Sequence, residues 1–241
     1  MIHENSNLMA TFGLPACAAV REVVLPNHKE IIESKDGDLH ILICSDKTGD
    51  KANILCKHKN LSEYLELLNV MYKKADFFLC ERSIRLNDYI SCEKVNYGFF
   101  YKFKSRSYDK DALSCILTPV ASHIDEVKRV FLEQKKTTDL SNIEHWLQTE
   151  AISFCIEDDN DILGIVVLSK YFEGLFINLI YVNEKYRHRG VGSELLKALS
   201  NYSFQEKIDC FYGMSPHKTR HFYKTLDIVS TEGWILWKKK I

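Results

Sequence analysis

The stretch GLFINLIYVNEKYRHRGVGSELLKALSNY, residues 174–202, decides the fold. Residues 175–182 are an apolar run of strand length. A short polar connection leads to Arg187-His188-Arg189-Gly190-Val191-Gly192, and from about Gly190 the apolar spacing becomes helical, with Leu195, Leu196 and Leu199 on one face. Strand, glycine-containing loop and helix N-terminus together make an anion site. The first amides of a helix lack internal partners, and the helix dipole places partial positive charge there. Gly190 and Gly192 let the backbone approach a phosphate, and Arg187 and Arg189 add charge. A pyrophosphate suits this chemistry.

Other nucleotide motifs share that logic and are excluded by single residues. A dinucleotide GxGxxG fingerprint needs glycine at position 195, where the chain has Leu195, and no P-loop string occurs. The segment Arg187-x-x-Gly190-x-Gly192, preceded by Tyr181-Val182 and Tyr186, resembles the acyl-CoA signature of the GCN5-related N-acetyltransferase (GNAT) superfamily. The element order expected from position 113 onward is strand, two helices, three strands, helix, strand, helix and final strands, which resembles that fold. The helices are expected at 122–136, capped by Ser122, and at 142–151, where His145 and Trp146 lie. Residues 217–229, HKTRHFYKTLDIV, resemble the family's last helix, with Phe222-Tyr223 matching its Phe-Tyr pair.

The resemblance covers about residues 111–241 and implies a mixed α/β, GNAT-like domain that uses acetyl-CoA as co-substrate. In the family the CoA pyrophosphate lies on loop amides, here those of Arg187, His188, Arg189, Gly190, Val191, Gly192 and Ser193. The pantetheine arm runs along the strand before them, here against Ile180, Tyr181 and Val182. Tyr223 stands where the family often places the acid that protonates the departing thiolate, a task that suits a phenol of reference pKa ~10. The strand carboxylate found in many members is missing. Asn178 occupies that region, either holding the acceptor or a water or satisfying a strand-bulge hydrogen bond, and His217, after the next strand, is a candidate base or substrate contact whose alternative is a helix-capping or surface role.

Working outward, residues 105–112 (SRSYDKDA) are polar and aperiodic, and mark the expected boundary between an N-terminal α/β domain, 1–110, and the GNAT-like domain, 111–241. Strands are expected at 39–45, 52–58, 76–86 and 96–106, with a helix from Leu61 to Ala75. The 110 residues are too few for another full copy of the fold, and their expected role is to shape the acceptor site or an oligomer, a homodimer being one such assembly.

Composition narrows the function classes. With 32 Lys+Arg against 33 Asp+Glu, the net charge of -1 gives no broad field for nucleic acid. Eight scattered cysteines form no CxxC pair, so neither a disulfide framework nor a zinc site is expected. Residues 5–20 carry no charge, but the start MIHEN lacks the basic residues of a secretory signal, and no apolar run reaches membrane-spanning length. The expectation is a cytoplasmic N-acetyltransferase acting on a small-molecule amine, an amino sugar among the candidates, with no metal, membrane or nucleic-acid partner. Acetylation of a protein N-terminus or lysine, and a non-catalytic acyl-CoA-binding module, are the alternatives.

Overall fold

The computed structural model describes residues 12, 14, 28–46, 49–58, 60–108, 118–133, 152–158, 161–171 and 174–240. They fall into two compact units. One holds the described residues of Met1–Tyr101, Met214–Arg220 and Ser230–Ile241; the other holds those of Lys102–Gly213 and His221–Val229.

In the first unit, the run Ile41, Leu42, Ile43 and Cys44 is buried without alternation, as in a strand covered on both faces. This strand, β2 (Leu39–Asp46), pairs antiparallel with β1 (His28–Glu33), which was not anticipated, and with β3 (Gly49–Cys56) along its whole length. A single 3-10 turn, Ser62–Tyr64, leads into α1 (Leu65–Lys74), whose Leu68 and Met71 are fully buried. The helix returns the chain to β4 (Phe77–Glu81), parallel to β3. The strand expected over 76–86 stops at Glu81 because the chain turns there, with the Ile84 amide donating to the Glu81 carbonyl. β5 (Cys92–Lys104) opens four residues before the expected start at 96. Leu14 is buried and the Phe12 ring packs edge-on against His40, 5.1 Å between centroids; the remainder of the uncharged stretch 5–20 lies outside the described residues.

The second unit opens with a two-residue strand, β6 (Thr118–Pro119), the described end of the strand expected over 113–120. A 3-10 turn precedes α2 (Ile124–Glu133), which buries Val127, Val130 and Phe131. The Ser122 side chain and the helix expected at 142–151 lie outside the described residues. β7 (Ile152–Asp158), β8 (Asp161–Tyr171) and β9 (Gly174–Val182) form an antiparallel meander, its first hairpin closing at the expected Asp-rich turn with Asp158 opposite Asp161. α3 (Val191–Gln205) then crosses to β10 (Cys210–Pro216), which pairs parallel with β9. Residues 217–225 form a 3-10 segment where a helix was expected, and β11 (Ile228–Lys239) follows; of these, residues 217–220 and 230–239 belong to the first unit. The mixed α/β class holds.

Two stretches of the chain, 28–104 and 152–239, repeat one element order. β1, β2, β3, α1, β4, a 3-10 turn (Leu86–Asp88) and β5 correspond to β7, β8, β9, α3, β10, the 3-10 segment (His217–Thr225) and β11. Both series run antiparallel, antiparallel, then parallel across the helix. Residues 28–104 are therefore more than an unrelated addition: they repeat the element order of residues 152–239 without counterparts, among the described residues, of β6 and α2.

Two differences separate the copies. The β3–α1 connection, 57–64, contains no glycine, whereas the β9–α3 connection contains Gly190. β3 and β4 stay paired over four positions of the five-residue β4, from Lys51 opposite Phe77 to Ile54 opposite Cys80. The β9–β10 ladder ends after three, at Phe176 opposite Tyr212, although β9 runs on to Val182.

Candidate acyl-CoA site

The end of the β9–β10 ladder is the feature from which the site is built. Past Phe176, β9 stays paired with β8 as far as Val182 opposite Gly164, while its other edge has left β10. Backbone groups on an unpaired strand edge are ready to bond an added extended segment. Ile180, Tyr181 and Val182 occupy this stretch. Arg187 Nε donates to the Val182 carbonyl at 3.2 Å, so that group is engaged from within the chain.

A bulge lies on β9 between the pairs Val167–Leu179 and Leu168–Ile177, and Asn178 is its extra residue. Bulges re-aim side chains and are frequent beside active sites. Asn178 Nδ2 donates to Ser169 Oγ at 2.6 Å, while Asn178 Oδ1 is buried with no hydrogen-bond partner among the described residues. A buried acceptor left unmade costs ~1–3 kcal/mol, so this atom marks a place where a donor is missing.

The connection from β9 to α3 is held from below. Asn183, 1% exposed, donates through Nδ2 to the Ile162 carbonyl at 2.9 Å, and its Oδ1 accepts the Lys185 amide at 3.2 Å. Tyr186 donates to Asp161 Oδ2 at 2.6 Å, and this hydrogen bond raises its pKa. His188 and Gly190 both have positive φ, 61° and 86°. Gly190 caps α3, and its carbonyl accepts the amides of Ser193 and Glu194 at 2.9 and 3.1 Å. The amides of Val191 and Gly192, at the helix start, are left to point outward. α3 is seated by Leu195, Leu196 and Leu199, each fully buried and worth about 1.5–3 kcal/mol. Its approach to β8 depends on Gly164, whose Cβ would stand 2.7 Å from Leu195 Cδ1.

The two motif glycines act differently. A Cβ at Gly190 would meet nothing within 4 Å, which leaves open space over the loop. A Cβ at Gly192 would fall 2.3 Å from Phe222 Cε2. Gly192 therefore accommodates an aromatic ring of this chain; the sequence argument had assigned that room to a phosphate. The arginines also divide. Arg187 is spent on Val182 and on Glu184, 3.2 Å away. Arg189 is exposed and lies over the Tyr186 ring at 5.6 Å, beside an open cavity of about 400 Å³ that Glu157, Asp158, Leu163 and Glu194 also line.

Tyr223 is 5% exposed, its ring set between Phe103 and Phe222, both 5.3 Å away. Its hydroxyl is 3.7 Å from the position of a Cβ at Gly213, and Ile177 Cδ1 is 3.4 Å from the same point. The phenol thus reaches the place where β9 and β10 part. His217 is placed in the first unit: it stacks on Tyr97 at 4.8 Å, and its Nε2 lies 2.9 Å from Arg220 Nη1. His145 and Trp146 lie outside the described residues. Sequence reasoning missed Asn183 and the packing of Phe222 over Gly192, although an Asn at a strand end two residues before a backbone amide is a legible capping signal.

Residues 120–227, which include the splayed strands and the loop, match the model of the acetyltransferase (GNAT) family. The fold likeness extends beyond that match. A GCN5-related N-acetyltransferase from Kribbella flavida has a TM-score of 0.62 at 8% identity, covering 95% of this chain and 96% of that one. A tandem GNAT protein from the clavulanic acid biosynthesis pathway has a TM-score of 0.58 at 10% identity, with 93% and 86% covered. The C-terminal domain of a putative lysylphosphatidylglycerol synthetase from Agrobacterium fabrum has 0.55 at 11% identity, covering 100% and 93%. No curated protein is a significant match. The fold supports acyl-CoA-dependent acyl transfer. Among the described residues no cluster fit for a metal occurs, and no helix is long and apolar enough to cross a membrane.

Proposed function

We propose that the protein transfers an acetyl group from acetyl-CoA to the primary amine of a small molecule, an amino sugar among the candidates, in the cytoplasm. The observation that carries this reading is the parting of β9 from β10 after Phe176–Tyr212, with the Tyr223 hydroxyl beside Gly213 at the same point. Of the loop amides from Arg187 to Ser193, those of Val191 and Gly192 receive the pyrophosphate, the Ser193 and Arg187 amides being taken by the Gly190 and Glu184 carbonyls, and the open space over Gly190 admits it. The pantetheine arm adds along Ile180, Tyr181 and Val182, and a backbone N–H there polarises the thioester carbonyl. The neutral amine attacks that carbon, the C–N bond forms, the C–S bond breaks, and Tyr223 gives its proton to the leaving thiolate. The amine's own proton leaves through water, which the unpartnered Oδ1 of Asn178 is suited to hold. Residues 1–110 shape the acceptor site or an oligomer.

The test is thiol release across a broad amine panel. Tyr223→Phe is expected to lower turnover by about 10²–10⁴ while acetyl-CoA binding persists. Unchanged turnover removes Tyr223 from the reaction. The missing β9 carboxylate favours one second reading, a module that binds acyl-CoA without catalysis. Tight acyl-CoA binding with no thiol release from any amine selects it.

A further inference from the structure

The first unit carries a group of exposed cations gathered on half-buried aromatic rings. Tyr97, on β5, stacks with His217 at 4.8 Å and 29°. Phe99, two residues along the strand and so on the same face, is 6.0 Å from the same imidazole. Lys94 Nζ lies 4.8 Å and the Arg82 guanidinium carbon 5.8 Å from the Tyr97 centroid. Arg220 Nη1 lies 2.9 Å from His217 Nε2.

Arg82 is placed by the backbone. Its amide donates to the Gly233 carbonyl at 2.8 Å, and a Cβ at Gly233 would lie 3.0 Å from Arg82 Cβ and Cδ. The glycine lets the arginine stem lie flat on β11 and carries its head to Tyr97. Two other surface cations of the unit are paired with carboxylates, Lys57 with Asp38 and Lys74 with Glu30. Neither Arg82 nor Lys94 has a carboxylate within salt-bridge distance among the described residues. Two like charges over one ring repel each other, and an anion between them removes that repulsion. On a chain of net charge -1 the concentration is local.

We infer that Arg82 and Lys94, backed by Tyr97, form an anion-binding site in the first unit that takes the phosphate or carboxylate group of a small molecule. The Arg220–His217 pair fixes the ring that backs it. The site is separate from the acyl-CoA loop and does not depend on the proposed acetyl transfer.

The experiment titrates inorganic pyrophosphate into the full-length protein and follows the ring resonances of Tyr97 and His217. A tricarboxylate, tricarballylate, serves as the second arm. Saturable shifts of both residues are expected, weakened about tenfold in an Arg82→Gln/Lys94→Gln double variant, the effect of two exposed ionic contacts. Arg189→Gln, in the acyl-CoA loop, is expected to leave those shifts unchanged. Response to pyrophosphate alone assigns the site to phosphates, and response to both assigns it to anions at large. Rings that never shift, or equal affinity in the double variant with its near-UV dichroism intact, overturn the inference.

Discussion

Gly190 and Gly192 belong to one short motif, yet replacing each by alanine is expected to fail for a different reason. At Gly190 the cost is backbone strain: φ is 86°, a left-handed conformation worth about 1–2 kcal/mol against any L side chain, and the new methyl touches nothing. At Gly192 the helical backbone suits alanine, but the methyl would sit 2.3 Å from Phe222 Cε2 and 2.9 Å from Cζ. The ring must withdraw by about 1 Å to reach ordinary contact, and overpacking of this kind costs about 1–3 kcal/mol. The two costs separate in a double-mutant cycle read by urea denaturation. Phe222→Leu removes the ring edge and is expected to recover at least ~1 kcal/mol of the Gly192→Ala loss. With Gly190→Ala the same change should be additive within ~0.5 kcal/mol. Because Phe222 adjoins Tyr223, Gly192→Ala should also lower turnover more than acyl-CoA affinity. Additivity of Gly192→Ala with Phe222→Leu would refute the packing argument.

Two further outcomes follow from hydrogen bonds of Asn183 and Asp36. Asn183→Leu leaves the Ile162 carbonyl and the Lys185 amide without their partner, an expected loss of about 1–3 kcal/mol with weaker acyl-CoA binding, checked by urea denaturation and calorimetry. Asp36 is held down to a pKa of about 2, first by the Ser34 hydroxyl and then by the Asp38 amide, with Tyr64 also donating. Its unfolded value is ~3.9, so its contribution to stability is complete above that pH and is lost as pH falls from about 4 to 2. Acid unfolding of Asp36→Asn, followed by circular dichroism, should show a weaker pH dependence across that window.

The strand–loop–helix stretch 174–205 was legible because its signals are local: an apolar strand, a glycine that adopts positive φ and a helix start are all contiguous. β2, α1 and the β7–β8 hairpin were legible for the same reason, each announcing itself by periodicity or a turn. What escaped depends on pairings distant in sequence. Phe222 fills the space over Gly192 from thirty residues away, and nothing near either residue says so. The 3-10 geometry of 217–225 and the early end of β4 are set by tertiary context that propensity does not carry. The repeated core of residues 28–104 was hidden because the element order persists while the loop glycines that identify it are absent from 57–64. Arg187 looked like a phosphate ligand by its charge, and only its bonds to Val182 and Glu184 show that it braces the loop.

Those same differences between the copies set the central claim, that one loop of the two receives acyl-CoA. Isothermal titration of the full-length chain with acetyl-CoA tests it most directly. The account predicts one site per chain, a gain of about 2.7 kcal/mol in stability at a hundred times the dissociation constant, and loss of binding in Gly190→Val, whose side chain enters the open space over the loop. No binding of any acyl-CoA, or undiminished binding in a folded Gly190→Val protein, would contradict it.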